Sequence, residues 1–353
     1  MTDFSFIQIG LCTTDLGAQV RFYAEVFGYA NAGGQVGWGN TMKVQGLDTD
    51  GQTVVWWLFG RHPRIQFEIF HHTGPDVRPK PDDWSPADHG WVRYGVAVSD
   101  FDSVLAKLAA RGIAAIAGQM ETAGNRRIAI RDPWAGIVVE VWEEGPGLEV
   151  EWPLERNASD PQILYVTHSV SDIAAARDYY TRILGFECAP LELLHGAQDE
   201  ALWGLGGARR EGFLVKAGYG FLEVVEYTSP QGRERPADHR LSDQGIMNVG
   251  LSTRSEAAVE AVLGKLDAEG KGPRWLTLGP QILGCYINEP DREIELLACP
   301  AEVEQAFGFN FAGEFNGGDF IRMVERGVSR ILPELAGGGG PPEGWWRGKP
   351  ANA

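Results

Sequence analysis

The chain has 353 residues, 44% of them hydrophobic and 22% charged, the composition of a soluble globular protein too long for one ordinary core, so two domains are expected. A net charge of −17 counts against nucleic acid, because phosphate binding needs clustered Lys and Arg. No apolar run is long enough to cross a bilayer, which counts against a membrane role.

The start, "MTDFSFIQIG", lacks the basic and then apolar pattern of a secretory signal. The four cysteines (Cys12, Cys188, Cys285, Cys299) are far apart, with no CxxC or metal-ligand spacing. Reduced thiols and a cytoplasmic location follow as expectations. A short strand pattern, "FIQIGLC", opens the chain and runs into "TTDLGAQVRFYAEVFGY" at 13–29. That stretch reads as a helix with Asp15 at its start and Gly28 at its end. Short β-rich runs follow, including "TVVWWLFG" and "IQFEIFHH". "WVRYGVAVSDFDSVLAKLAARG" then repeats the order strand, capped amphipathic helix, glycine. The stretch 145–161 has Gly and Pro near its ends and charges within, and reads as a linker, taken as 148–161.

Beyond the linker the pattern begins again. "ILYVTHSV" precedes "SVSDIAAARDYYTRILGF" at 169–186, and the spacing of the earlier helix returns. Asp15 to Tyr23 is eight residues and so is Asp172 to Tyr180; Asp15 to Gly28 is thirteen and so is Asp172 to Gly185. "IMNVGLSTRSEAAVEAVLGKLDAEG" supplies a fourth strand and helix. Three landmark pairs, Glu68 and Glu223, Arg93 and Asn248, Glu140 and Glu295, are each 155 residues apart. A period this long marks a duplicated domain. The fold class read from the residues is α+β, a βαβββ unit written four times. Taken in sequence order, the units pair into a first module at 1–147 and a second at 162–300. Residues 301–353 form an extension: a strand, a helix and a Gly/Pro-rich tail that cannot build a core. Its strand and helix would dock on the first module or on a second chain, making a homodimer.

The runs "DLGAQVRFYAEVFGY" and "SDIAAARDYYTRILGF", with the closing strands "RDPWAGIVVEV" and "NEPDREIELL", resemble the vicinal oxygen chelate superfamily, which includes glyoxalase I, bleomycin-resistance proteins and extradiol dioxygenases. The resemblance covers roughly residues 4–300. It implies two U-shaped sheets with helices outside, each cleft presenting a residue from the first and last strand of two units. Those positions are Gln8, Glu68, Arg93 and Glu140 in the first module, and Tyr165, Glu223, Asn248 and Glu295 in the second. Glyoxalase-like members place Gln or His, Glu or Gln, His, and Glu there, around a divalent metal. The first module departs at Arg93, whose charge would repel a cation and pair with Glu68 or Glu140. A cleft without metal or other cofactor is therefore favoured. The nearest variant holds Zn, Mn, Ni or Fe on Gln8, Glu68 and Glu140.

Two readings of Glu68 and Glu140 stand side by side: a salt bridge that orders the sheet, or a base acting next to a substrate carbonyl. On the second reading Arg93 or Gln8 steadies the oxyanion. Trp91 shares strand parity with Arg93 and would line the same cleft. Tyr165 would serve as a cleft wall, and Glu223, Asn248 and Glu295 as substrate contacts in the second module. His168 falls on the helix-facing parity and reads as core; His72 reads as a solvated strand end; His195 sits in a loop without ligand partners. No two-His-one-carboxylate set is visible, which counts against a dioxygenase. The expected function is a glyoxalase-like lyase or isomerase moving a proton on a small carbonyl-containing metabolite, aromatic ones included. The alternative is a protein that sequesters a hydrophobic compound without turnover; a divergent dioxygenase comes third.

Overall fold

The computed structural model describes residues 2–145, 160–301 and 304, apart from positions 49, 63, 75, 123, 219 and 290 and the stretches 272–273 and 278–282. The tail strand and helix expected after 304, and most of the linker, lie outside the described residues. Among the described residues no helix is long and apolar enough to cross a membrane.

Capping side chains start the unit helices as the spacing predicts. Asp15 accepts from the Ala18 N–H, Asp172 from Ala175, Asp100 from Ser103 and Ser255 from Ala258. Each cap satisfies a donor that the first helical turn leaves orphaned. The first and third helices each continue into a five-residue π turn, Tyr23–Phe27 and Tyr179–Ile183, which contains the repeated aromatic positions. Gly28 ends the first at φ 91°, a conformation glycine adopts without a Cβ clash.

Four units result. The first is β1 (Ser5–Cys12), α1 (Leu16–Phe22), β2 (Ala30–Trp38), α2 (Asn40–Val44), β3 (Gln52–Phe59) and β4 (Gln66–Thr73). The second is β5 (Gly90–Val98), α3 (Phe101–Ala110), β6 (Met120–Thr122), β7 (Asn125–Arg131) and β8 (Val138–Glu143). The third is β9 (Gln162–Ser169), α4 (Ile173–Asp178), β10 (Cys188–Ala189), β11 (Arg209–Ala217) and β12 (Gly220–Ser229). The fourth is β13 (Gly245–Thr253), α5 (Glu256–Ala268), β14 (Arg274–Thr277), β15 (Leu283–Glu289) and β16 (Arg292–Ala298). The α+β class and the four units are as expected.

Their pairing is not the sequence-order one. One eight-stranded sheet runs β14-β15-β16-β13-β1-β4-β3-β2, joining the first unit to the fourth. The other runs β10-β11-β12-β9-β5-β8-β7-β6, joining the second to the third. Modules at 1–147 and 162–300 therefore do not exist as separate sheets. The cause lies in the segments after β4 and β12, which carry the chain from one sheet to the other. There they clamp each other through Arg78 on Asp243 and Asp238, and Arg233 on Asp88 and Asp83.

The first strands meet antiparallel at both sheet centres, β1 on β13 and β5 on β9. Ile9 and Leu11 of β1 face a buried cluster continuous with Val20, Tyr94, Val166 and Val249. Gln8, Gly10 and Cys12 alternate to the opposite, concave face.

Candidate functional site

The two concave faces bring the eight expected positions together in a new combination. Gln8, Glu68, Asn248 and Glu295 share the first sheet; Arg93, Glu140, Tyr165 and Glu223 share the second. Gln8 thus never meets Arg93, and the metal set Gln8, Glu68 and Glu140 is split. Trp91 lines neither cleft. A bulge at Val92, between Trp91 and Arg93, breaks their shared parity. Trp91 stacks on His168 in the core, ring centroids 4.6 Å apart, and its indole N–H donates to the Glu293 carbonyl at 3.0 Å.

In the first cleft the Gln8 amide stands between two carboxylates, donating to Glu68 and, at 3.3 Å, to Glu295 Oε2. Trp57 donates to the other Glu68 oxygen at 3.1 Å. No Lys, Arg or His reaches either carboxylate within ion-pair distance among the described residues. Burial pushes the Glu295 carboxyl up to about 7, against the pull of the Gln8 hydrogen bond. Burial, then repulsion from Glu295, raises Glu68 well above the usual carboxylate range. Asn248 is fully buried, and neither amide atom makes a hydrogen bond of normal geometry, although Tyr286 lies beside it. Two glycines make room for the amides. A Cβ at Gly250 would come within 2.7 Å of the Gln8 Cβ, and one at Gly10 would overlap Asn248 Oδ1. Glu68 is only half-buried, so solvent reaches the group from its side. Val55, Trp57, Phe70, Leu241, Met247 and Tyr286 form the apolar wall.

The donor set fits a divalent cation. A buried carboxylate facing a half-buried one without a counter-charge is costly, and a partnerless amide in the same cleft adds to that cost. Among the described residues no three His, Cys, Asp or Glu side chains converge as a metal cluster; here two of the four donors are amides. With the Gln8 amide turned to present Oε1, which now accepts from Gln66 at 3.3 Å, all four donors would be oxygens, a set that suits a hard ion.

The second cleft has filled the same positions with its own cations. Arg93, fully buried, donates to Glu223 at 2.6 Å and to the Tyr227 hydroxyl at 3.0 Å. Arg127 Nε donates to Glu140 at 2.7 Å and Nη1 to Asp199 at 2.8 Å. His195 bridges Glu223 at 2.6 Å and Glu140 at 3.1 Å, so both ring nitrogens must carry hydrogen. Burial opposes that charge, but Glu223 and Glu140 overcome it and raise the imidazole. Burial likewise works against ionisation of Glu140, yet Arg127 and His195 hold it down to about 2. Glu223 is held lower still, by Arg93 and then His195 against its burial. Tyr165 donates to Glu140, and its ring lies across Gly95, where a Cβ would overlap it. With Arg210 on Glu200, four cations (Arg93, Arg127, Arg210, His195) face four carboxylates (Glu140, Glu223, Asp199, Glu200). This arrangement pairs every one of its carboxylates with a cation of its own.

The expected partner of Arg93, Glu68 or Glu140, is therefore corrected to Glu223, and the argument that its charge repels a metal applies to the second cleft alone. His195 was missed, together with Arg127 and Asp199. The one available signal is "LLHGAQDEALW", where charged residues stand among Leu and Trp. His168 is core, as its parity implies, bonded to Tyr180 at 3.1 Å. His72 is not solvated: it is buried against Gln45 at 2.9 Å.

Residues 5–141, which include Gln8 and Glu68, match the family model described as the glyoxalase/bleomycin resistance protein/dioxygenase superfamily. No curated protein matches the chain significantly. Among solved structures the chain is similar to glyoxalase I from Zea mays, at 13% identity and TM-score 0.52, over 92% of this chain and 96% of that one. It is also similar to a putative dioxygenase from Bacillus subtilis subsp. subtilis str. 168, at 12% identity and TM-score 0.56, over 95% and 96%. Identities this low speak for the fold alone. Residues 5–141 thus match the glyoxalase/bleomycin resistance protein/dioxygenase superfamily, and the four βαβββ units in two curled sheets give the chain as a whole the fold of these solved structures.

Proposed function

We propose that the first cleft holds a divalent cation on Gln8, Glu68, Asn248 and Glu295, and that the protein is a glyoxalase-like lyase or isomerase acting there on a small carbonyl-containing metabolite. The observation that carries this reading is the contrast between the clefts. The second neutralises Glu140 and Glu223 with Arg93, Arg127 and His195, whereas Glu68 and Glu295 face each other with only Gln8 between them. The ion, when bound, would supply Lewis-acid polarisation of a substrate oxygen. Glu68, the solvent-reachable carboxylate, is the group placed to take a proton from the carbon beside the carbonyl and return it to a neighbouring atom. Trp57, Phe70 and Tyr286 exclude water and favour an apolar or aromatic substituent. With the Gln8 amide turned to present Oε1, the four oxygen donors would favour manganese over zinc.

Elemental analysis of the purified chain, before and after dialysis against zinc, manganese, nickel and iron, tests the reading. About one ion per chain is expected, manganese held best, and lost in Glu295→Gln and Glu68→Gln. No ion under any loading, or an ion retained by both variants, sinks it.

A further inference from the structure

We propose that the groove between the two crossover segments is a second ligand site, for a small organic monoanion with an apolar body, whose negative group pairs with Lys80. The groove shares Leu241 and Met247 with the wall of the metal cleft but uses none of Gln8, Glu68, Asn248 and Glu295.

The walls are two stretches of chain related by the internal repeat, and ion pairs hold them in place. Arg78 Nε and Nη2 grip both oxygens of Asp243 at 2.8 and 2.6 Å, while Nη1 takes Asp238 at 2.6 Å. Arg233, 155 residues on, repeats this with Asp88 at 2.9 and 2.7 Å and Asp83 at 2.6 Å. Bidentate contacts of this kind fix geometry, so the groove is formed before any ligand arrives. It encloses about 450 Å³, within the range of small-molecule sites. Its four aspartates are already engaged by these arginines.

Symmetry exposes what is left over. Lys80 and Arg235 occupy equivalent positions, also 155 apart. Each lies over the positive-φ glycine that opens the strand opposite: Arg235 over Gly90, and Lys80 Nζ 2.9 Å from where a Cβ of Gly245 would stand. Arg235 finds a buried carboxylate, Glu293. The residue that stands to Lys80 as Glu293 stands to Arg235 is Val138, a buried aliphatic side chain. The Lys80 ammonium consequently has no ion pair among the described residues, and its near neighbour is the Trp84 ring at 4.5 Å, which also carries Arg131 at 4.8 Å. Burial, then Arg235 and Arg131, push the amine down to about 7, with Asp88 and Asp243 opposing. A half-buried cation beside two others lacks a counter-charge. A carboxylate in the groove would supply it. One free ammonium suits a monoanion, and Trp91, Leu241, Ile246 and Met247 offer apolar lining for the rest of the molecule.

Titration calorimetry of the full chain with benzoate, and with benzamide as its neutral isostere, tests the proposal. Benzoate is expected to bind, and benzamide to bind at least about tenfold more weakly. Lys80→Met should weaken benzoate by a similar factor while circular dichroism stays unchanged, and Lys80→Arg should largely preserve it. Glu295→Gln should leave benzoate binding as it is. Absence of benzoate binding, equal affinity in Lys80→Met, or loss in Glu295→Gln would overturn the site; the last outcome places the anion in the metal cleft. Should Lys80→Met not fold, acetylation of the unmodified protein followed by mass spectrometry decides. Benzoate should slow labelling at Lys80 and at no other lysine, and equal labelling with and without it refutes the assignment.

Discussion

At the scale of single residues, the carboxyl of Glu295 decides how the first cleft behaves without metal. Its folded pKa of about 7 lies above the ordinary value of 4.5, so between those limits the folded chain binds a proton that the unfolded chain has released. The contribution is present below pH 4.5 and is lost as pH rises through 7. Glu68 shifts in the same direction, so the pair releases protons in coupled steps. Urea unfolding of chelator-treated protein at pH 5 and pH 8 should therefore show the wild type losing stability relative to Glu295→Gln. Manganese should reverse the order at pH 8, since ligation takes the deprotonated carboxylates. Identical pH dependence in the two proteins would mean that Glu295 is not perturbed as described. The four residues of this cleft were legible as positions because strand parity and the repeat mark them. Their company was not. Nothing in "NRRIAIR" singles out Arg127, and His195 reads as a loop residue. Burial of a charge is tolerable only when opposite charges arrive from elsewhere, and no local pattern states that.

At the scale of elements, the centre of each sheet depends on a glycine facing a side chain from the neighbouring strand. Gly10 faces Asn248 and Gly95 faces Tyr165, and replacing either by alanine forces a movement of a different kind. The Asn248 amide is the free end of a short side chain, with no hydrogen bond to lose. Gly10→Ala should accordingly cost little stability, within about 1 kcal/mol, but weaken manganese binding by about tenfold or more by displacing a donor. Tyr165 is a buried ring bonded to Glu140, so Gly95→Ala should cost about 1–3 kcal/mol through overpacking and leave the metal site alone. Thermal unfolding and metal titration of both variants check the pair; the opposite assignment of effects would contradict the two-cleft description. Helices and their caps were readable at this scale because Asp, Ser and Gly mark ends by local hydrogen bonding and backbone conformation. The Val92 bulge was not, because one inserted residue leaves no sign in an apolar strand, yet it turns Trp91 away from the cleft and into the core.

At the scale of the whole molecule, the repeat told how many units there are but not which units share a sheet. Adjacent pairing and nested pairing use the same strands, the same helices and the same alternation. They differ only in where the segments after β4 and β12 lead, and the Arg78 and Arg233 clamps decide that from opposite ends of the sequence. The nested arrangement has a consequence that adjacent pairing lacks. Each half of the chain supplies one unit to each sheet, so the first cleft takes Gln8 and Glu68 from before the linker and Asn248 and Glu295 from after it. A protease site placed between Gly145 and Asp160 and then cut should leave the two fragments together, eluting from a sizing column as the intact chain does. They share two central strand pairs, β1 on β13 and β5 on β9, and a continuous apolar core of a kind that obligate interfaces have. The cut protein should still bind manganese, while neither half expressed alone should, because each carries one carboxylate and one amide of the set. Fragments that separate as two folded modules would restore the sequence-order pairing and remove Asn248 and Glu295 from the site of Gln8 and Glu68.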